Sequence, residues 1–190
     1  QYVLDLSNPE VIDYAYESVA KILRSVSIDY VKWDMNRHLT DLGSAYLDRK
    51  NQNELSHRYV LGLYQVMETL TERFPQVLFE SCSSGGGRFD AGMLYYMPQT
   101  WTSDNTDAVC RLKIQHGTSF LFPTVTMGAH VSACPNHQVG RTTPLATRFA
   151  VAAAGNLGYE LDLKKLLKEE KKEVREQIAE YKRRRRTVQF

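Results

Sequence analysis

Short apolar runs alternate with longer helical stretches along this chain, and that alternation limits the fold more than any single residue does. The runs Tyr2–Leu6, Ile28–Trp33, Val77–Cys82, Gln99–Ser103, Phe120–Val125 and Leu157–Leu161 read as strands. Helices are predicted over Asn8–Ser25, Glu54–Arg73, Thr106–His116 and Arg141–Ala154, and the chain closes on an amphipathic helix, Lys164–Arg186. Strands separated by helices pair in parallel, because parallel neighbours need a crossover connection. The first helix opens on Asn8-Pro9-Glu10, a capping Asn, a Pro at the first helical position and then an acid. Val11, Tyr14, Val19, Ile22, Leu23 and Val26 supply its apolar stripe, Leu167, Val174, Ile178 and Tyr181 that of the last helix. Pro75 ends the second helix, and Leu39–Asn53 is polar enough for a long surface loop.

Two closures suit such a chain, a doubly wound open sheet and a β/α barrel. An open dinucleotide-binding sheet carries a G-x-G-x-x-G fingerprint after its first strand. Here the glycines Gly85-Gly86-Gly87 follow the third run and lack that spacing. Polar residues also gather at predicted strand ends: Asp5, Lys32 with Asp34, Glu80 with Cys82, Asp104, and Thr124 with Thr126. Barrel active sites are assembled at that C-terminal face. The expected fold is therefore α/β, a partial (β/α)8 TIM barrel. It comprises roughly strands 3 to 8 with their helices, as one domain over residues 1–190.

Composition narrows the function classes. With 43% hydrophobic and 24% charged residues, the chain is an ordinary globular sequence with no apolar run long enough for a membrane span. Residues 164–186 hold 11 basic and 5 acidic residues, which leaves the rest of the chain mildly acidic. A basic tail on an acidic body argues against a nucleic-acid-binding domain. Lys182–Arg186 reads as a solvated helix end rather than a phosphate site. Cys82, Cys110 and Cys134 form neither a zinc pair nor an even disulfide set, which points to a reducing, cytoplasmic compartment. His38, His57, His116, His130 and His137 show no ligand spacing, so neither a metal nor a cofactor is expected.

Two segments carry chemistry. In Lys32-Trp33-Asp34-Met35-Asn36-Arg37 a strand ends in a carboxylate flanked by positive charge. An oriented, ionised carboxylate is what a nucleophile at an anomeric carbon has to be, although a structural ion pair fits the motif equally. In Trp101-Thr102-Ser103-Asp104-Asn105-Thr106-Asp107 a second strand delivers Asp104, and Ser103 or Asp104 could instead cap the helix that follows. Taken together, two carboxylates at one rim can flank a glycosidic bond, with Trp33 and Trp101 as sugar platforms. The segment Cys82-Ser83-Ser84-Gly85-Gly86-Gly87-Arg88 lacks a phosphate-loop lysine and reads as the lining of a sugar pocket.

These three segments, in this order, closely resemble the bacterial α-galactosidases of glycoside hydrolase family 36. Leu4-Asp5-Leu6-Ser7-Asn8-Pro9 and Gly158-Tyr159-Glu160-Leu161-Asp162 add to the likeness, which covers the whole chain. The resemblance implies retaining hydrolysis of α-galactosides of the melibiose and raffinose type. By position, Asp34 would be the nucleophile and Asp104 the acid/base. Lys32 and Asn36 would hydrogen-bond galactose hydroxyls, and Cys82 and the backbone near Gly85 would line the pocket. Relatives handling α-N-acetylgalactosamine, or favouring transglycosylation, are near variants. A non-catalytic sugar-binding or assembly fragment is the alternative of another class. Family members are longer, with an N-terminal β-sandwich, the first barrel strands and a C-terminal β-domain, and full-length relatives are expected to be homo-oligomers. Paired acids that bind the galactose 4- and 6-hydroxyls have no counterpart here, and the isolated chain is expected to be inactive or nearly so, because its barrel cannot close and strand edges stay exposed. Retention further implies carboxyl groups of Asp34 and Asp104 about 5–5.5 Å apart.

Overall fold

The computed structural model describes residues 3–189. The chain folds as two compact units, Gln1–Ser83 with Asp90–Pro98 and Ser84–Phe89 with Gln99–Phe190.

In the first unit α1 (Pro9–Ser25) starts where the local signals predict. The Asn8 side chain accepts from the Glu10 N–H at 3.0 Å and Pro9 opens the first turn. Its buried face is Ile12, Ala20 and Leu23, with Val11, Ala15, Tyr16 and Val19 beside them. Tyr14, Ile22 and Val26, expected on that stripe, are exposed. The small residues Ala15 and Ala20 take their place on the face that packs against α2 (Leu55–Arg73). At Gly62 of α2 a Cβ would lie 1.9 Å from the Leu6 carbonyl oxygen, so only glycine allows the chain before α1 to cross there.

β1 (Tyr30–Asp34) and β2 (Leu78–Cys82) pair in parallel, in register from Tyr30↔Leu78 to Asp34↔Cys82. Val31, Trp33 and Phe79 join the core cluster with Leu63, Val66, Met67 and Leu70 of α2. By alternation Tyr30, Lys32, Asp34, Glu80 and Cys82 share the opposite face. The strand expected at Tyr2–Leu6 is not formed by residues 3–6, and Tyr2 lies outside the described residues. The chain turns there instead, with the Leu6 and Asn8 N–H groups donating to the Leu4 and Asp5 carbonyls. Asp5 thus ends no strand. Its carboxylate accepts the Ser7 and Ser44 hydroxyls and ties down the polar loop, which finishes in a 3-10 turn, Arg49–Glu54. A short helix, α3 (Ala91–Tyr96), capped by Asp90, follows β2 and was not expected.

The second unit holds β3 (Gln99–Trp101), α4 (Ala108–Ser119), β4 (Met127–Ser132), α5 (Leu145–Ala152), β5 (Asn156–Glu160) and α6 (Lys168–Gln189). β3 pairs with β4, and β4 with β5, all in parallel. Ala129, Val131, Leu157 and Tyr159 face the helices, packed with Leu145, Ala152, Val174 and Ile178. The strand expected at Phe120–Val125 is displaced to Met127–Ser132. Phe120 and Leu121 are 76% and 82% exposed, Pro123 has no N–H for a ladder, and Thr124–Thr126 form a 3-10 turn. Thr124 and Thr126 therefore precede a strand rather than end one. Leu167 stands outside α6 and is exposed, whereas Val174, Ile178 and Tyr181 keep the apolar face. Five parallel strands alternating with helices agree with a partial β/α barrel.

Candidate active site

At the end of β1, Lys32 and Asp34 lie two residues apart and share a face. The exposed Asp34 carboxylate accepts from Asn36 Nδ2 at 2.9 Å. The chain past Asp34 stays bound to β2, since the Met35 N–H donates to the Cys82 carbonyl at 3.0 Å and the Ser83 hydroxyl donates to the Met35 carbonyl. Lys32 Nζ lies 3.8 Å from Oε1 of Glu80, which is fully buried and also accepts the Tyr30 hydroxyl. Burial, and then the bond to Glu80, push the Tyr30 hydroxyl far above the usual tyrosine range. The Cys82 side chain is buried. Trp33 is set apart from these residues, because alternation turns its ring to the other face, where it packs on the core cluster.

In the second unit the loop after β2 enters through Ser84 (φ 48°) and Gly85 (φ 88°). A Cβ at Gly85 would meet Ser103 Cα at 2.6 Å, so glycine is required for the loop to lie against the segment that carries Asp104. The backbone packed against Gly85 is thus Thr102-Ser103. Trp101 is 4% exposed, its ring stacked on His130 at 4.5 Å, with the Arg111 guanidinium also 4.5 Å from its centroid.

Asp104 itself is exposed, and its carbonyl accepts from Gln138 Nε2 at 2.7 Å. Gln138 Oε1 accepts the Thr106 N–H at 2.9 Å, and Asn136 Nδ2 donates to Thr106 Oγ1 at 2.9 Å. The cap of α4 is neither Ser103 nor Asp104 but Asp107, which accepts the Cys110 N–H at 2.9 Å and pairs with Arg141. Burial raises the Asp107 pKa, but the Cys110 hydrogen bonds and Arg141 outweigh it and hold the carboxyl below the ordinary range. Sequence reasoning passed over Asp107, although an Asp directly before Ala108-Val109 is an N-cap signal. It also passed over Gln138, Asn136 and Arg111, which nothing in their local pattern marks.

Each unit therefore presents one exposed carboxylate at or just past the end of a parallel strand, with its backbone pinned on both sides. Such groups can serve as a nucleophile or a proton carrier. Among the described residues no three His, Cys, Asp or Glu side chains gather as a metal site. No described helix is long and apolar enough to cross a membrane.

The Melibiase family matches residues 1–190, the full chain. This chain belongs to the melibiase family. Among its relatives, α-galactosidase AgaA of Geobacillus stearothermophilus is 62% identical over 190 residues, all of this chain and 26% of AgaA. The crystal structure of that enzyme superposes with a TM-score of 0.97 over 99% of this chain and 26% of AgaA. An AgaA variant has been crystallised in complex with raffinose. α-Galactosidase Mel36A of Lactobacillus acidophilus is 55% identical over 190 residues, again all of this chain and 26% of Mel36A. The chain thus spans about a quarter of the length of these relatives, which are named α-galactosidases.

Proposed function

We propose that this chain is the part of a retaining α-galactosidase barrel that carries both catalytic carboxylates. Its five strands are read as consecutive strands of the catalytic barrel, within the range 3 to 8. Asp34 attacks the anomeric carbon of a terminal α-galactose, and the glycosidic C–O bond breaks as the ester to Asp34 forms. Asp104 gives its proton to the departing oxygen, then takes one from the water that displaces Asp34. Lys32 and Asn36 hydrogen-bond galactose hydroxyls, Cys82 and the Gly85 backbone line the pocket, and Trp101 walls it. The substrates are α-galactosides of the melibiose and raffinose type, in keeping with the raffinose complex of an AgaA variant. The observation that supports this reading best is the exposure of Asp34 at the end of its strand and of Asp104 beyond its own, while Asp107 takes the helix cap.

The test is a chimera in which residues 1–190 replace the matching quarter of AgaA. It should hydrolyse raffinose and a nitrophenyl α-galactoside with release of α-galactose. Asp34→Asn should abolish turnover, and a slow fluorinated galactosyl donor should label the peptide that contains Asp34. Release of β-galactose, or a label elsewhere, would refute the double displacement.

A further inference from the structure

Arg111, in the first turn of α4, takes no part in the chemistry above, yet every nitrogen of its guanidinium is engaged. Nη1 donates to the Ser103 carbonyl at 3.0 Å, Nη2 to the Gly128 carbonyl at 2.8 Å and Nε to Gln115 Oε1 at 3.2 Å. Gln115 in turn donates to the Val151 carbonyl at 2.9 Å. The side chain is 3% exposed and lies against the Trp101 ring. One planar fork thus joins the segment after β3, the start of β4 and, through Gln115, α5.

A buried guanidinium is an expensive way to fill space, because removal from water disfavours the charged form. Burial lowers its pKa to about 10, with Glu160 acting in the opposite direction, so it remains a cation at neutral pH. A methionine would fill similar volume without that penalty, but it could not grip two carbonyls in fixed directions.

We propose that Arg111 is the positioning residue for Asp104: by holding the Ser103 carbonyl and the Trp101 ring it sets the segment from which the acid/base projects. The proposal rests on the reading of Asp104 as acid/base. Gly85 complements it, since the same Ser103 residue is met at its Cα by the Gly85 backbone. In kcat/KM, which reports the step that breaks the glycosidic bond, a displaced general acid matters only where the leaving group needs a proton, and misplacement by an ångström lowers rates about 100-fold.

The experiment measures kcat/KM in the chimera on raffinose, whose leaving group requires protonation, and on a nitrophenyl α-galactoside, whose leaving group does not. Arg111→Met should lower kcat/KM on raffinose by about 10- to 100-fold and on the nitrophenyl substrate only slightly. Arg111→Lys, which keeps the charge but loses the fork, should recover only part of the loss. Equal losses on both substrates, as a merely structural role or partial unfolding would give, overturn the proposal, as does no loss on either. Asp104→Asn is run beside them. If it too fails to separate the substrates, the acid/base assignment falls. If it separates them and Arg111→Met does not, only the role of Arg111 falls.

Discussion

Asn36 donates from Nδ2 to Asp34 Oδ2 at 2.9 Å, so the residue two places past the end of β1 orients the carboxylate that ends it. A hydrogen bond to a charged acceptor contributes about 1.5–3 kcal/mol. Asn36→Ala should therefore lower kcat/KM in the AgaA chimera by roughly 10- to 100-fold with little change in thermal midpoint. Steady-state kinetics beside a melting curve decide this, and an unaltered kcat/KM would show that the bond has no catalytic part.

Gly85 is held at φ 88° with Ser103 Cα where a side chain would start. Gly85→Ala should destabilise the protein by about 1–3 kcal/mol through backbone strain and reduce activity beyond that by displacing the Asp104 segment. Gly43→Ala is the control, because nothing lies within 4 Å of a Cβ there. Denaturant midpoints of the two variants should differ clearly.

Asp107 links stability to acid pH. Its carboxyl titrates below the ordinary value of 3.8, because the Cys110 hydrogen bonds and Arg141 outweigh burial. A native pKa below the unfolded one contributes stability that is complete above about pH 4 and lost as pH falls through the native value. Unfolding free energy should therefore decline on acidification, and Asp107→Asn should flatten that decline. Asp107→Ala removes the cap outright and should cost about 1–2 kcal/mol at neutral pH.

The alkaline side has the opposite sign. Burial, then Glu173, push the Tyr159 hydroxyl up to about 12, and its proton is donated to Gln177 Oε1 at 2.8 Å. The unfolded chain gives up this proton near pH 10. The contribution is therefore complete below about pH 10 and lost as pH rises toward 12. Urea unfolding followed between pH 9 and 11 should show a steeper loss for the parent than for Tyr159→Phe.

The fold was legible wherever a feature is decided within a few residues. Asn8-Pro9-Glu10 starts α1 because the side-chain oxygen reaches an N–H two places on, whatever surrounds it. The end of β1 at Asp34 and the approach of β3 to Asp104 follow from the same short range. So does the parallel pairing, which crossover length imposes on strands separated by helices.

Burial was not legible, because the groups that cover a residue come from far along the chain. Phe120 and Leu121 are as apolar as any strand, yet both stay mostly exposed, while Met127-Gly128-Ala129-His130-Val131-Ser132 is weak in β propensity but enclosed. Trp33 and Trp101 look alike in sequence, each ahead of a carboxylate. The structure places one in the helix-facing core and the other against His130 and Arg111. The residue that Gly85 needs beside it lies eighteen positions away in sequence, at Ser103. Local chemistry chose where carboxylates leave their strands, and only packing between distant segments decided what holds them still.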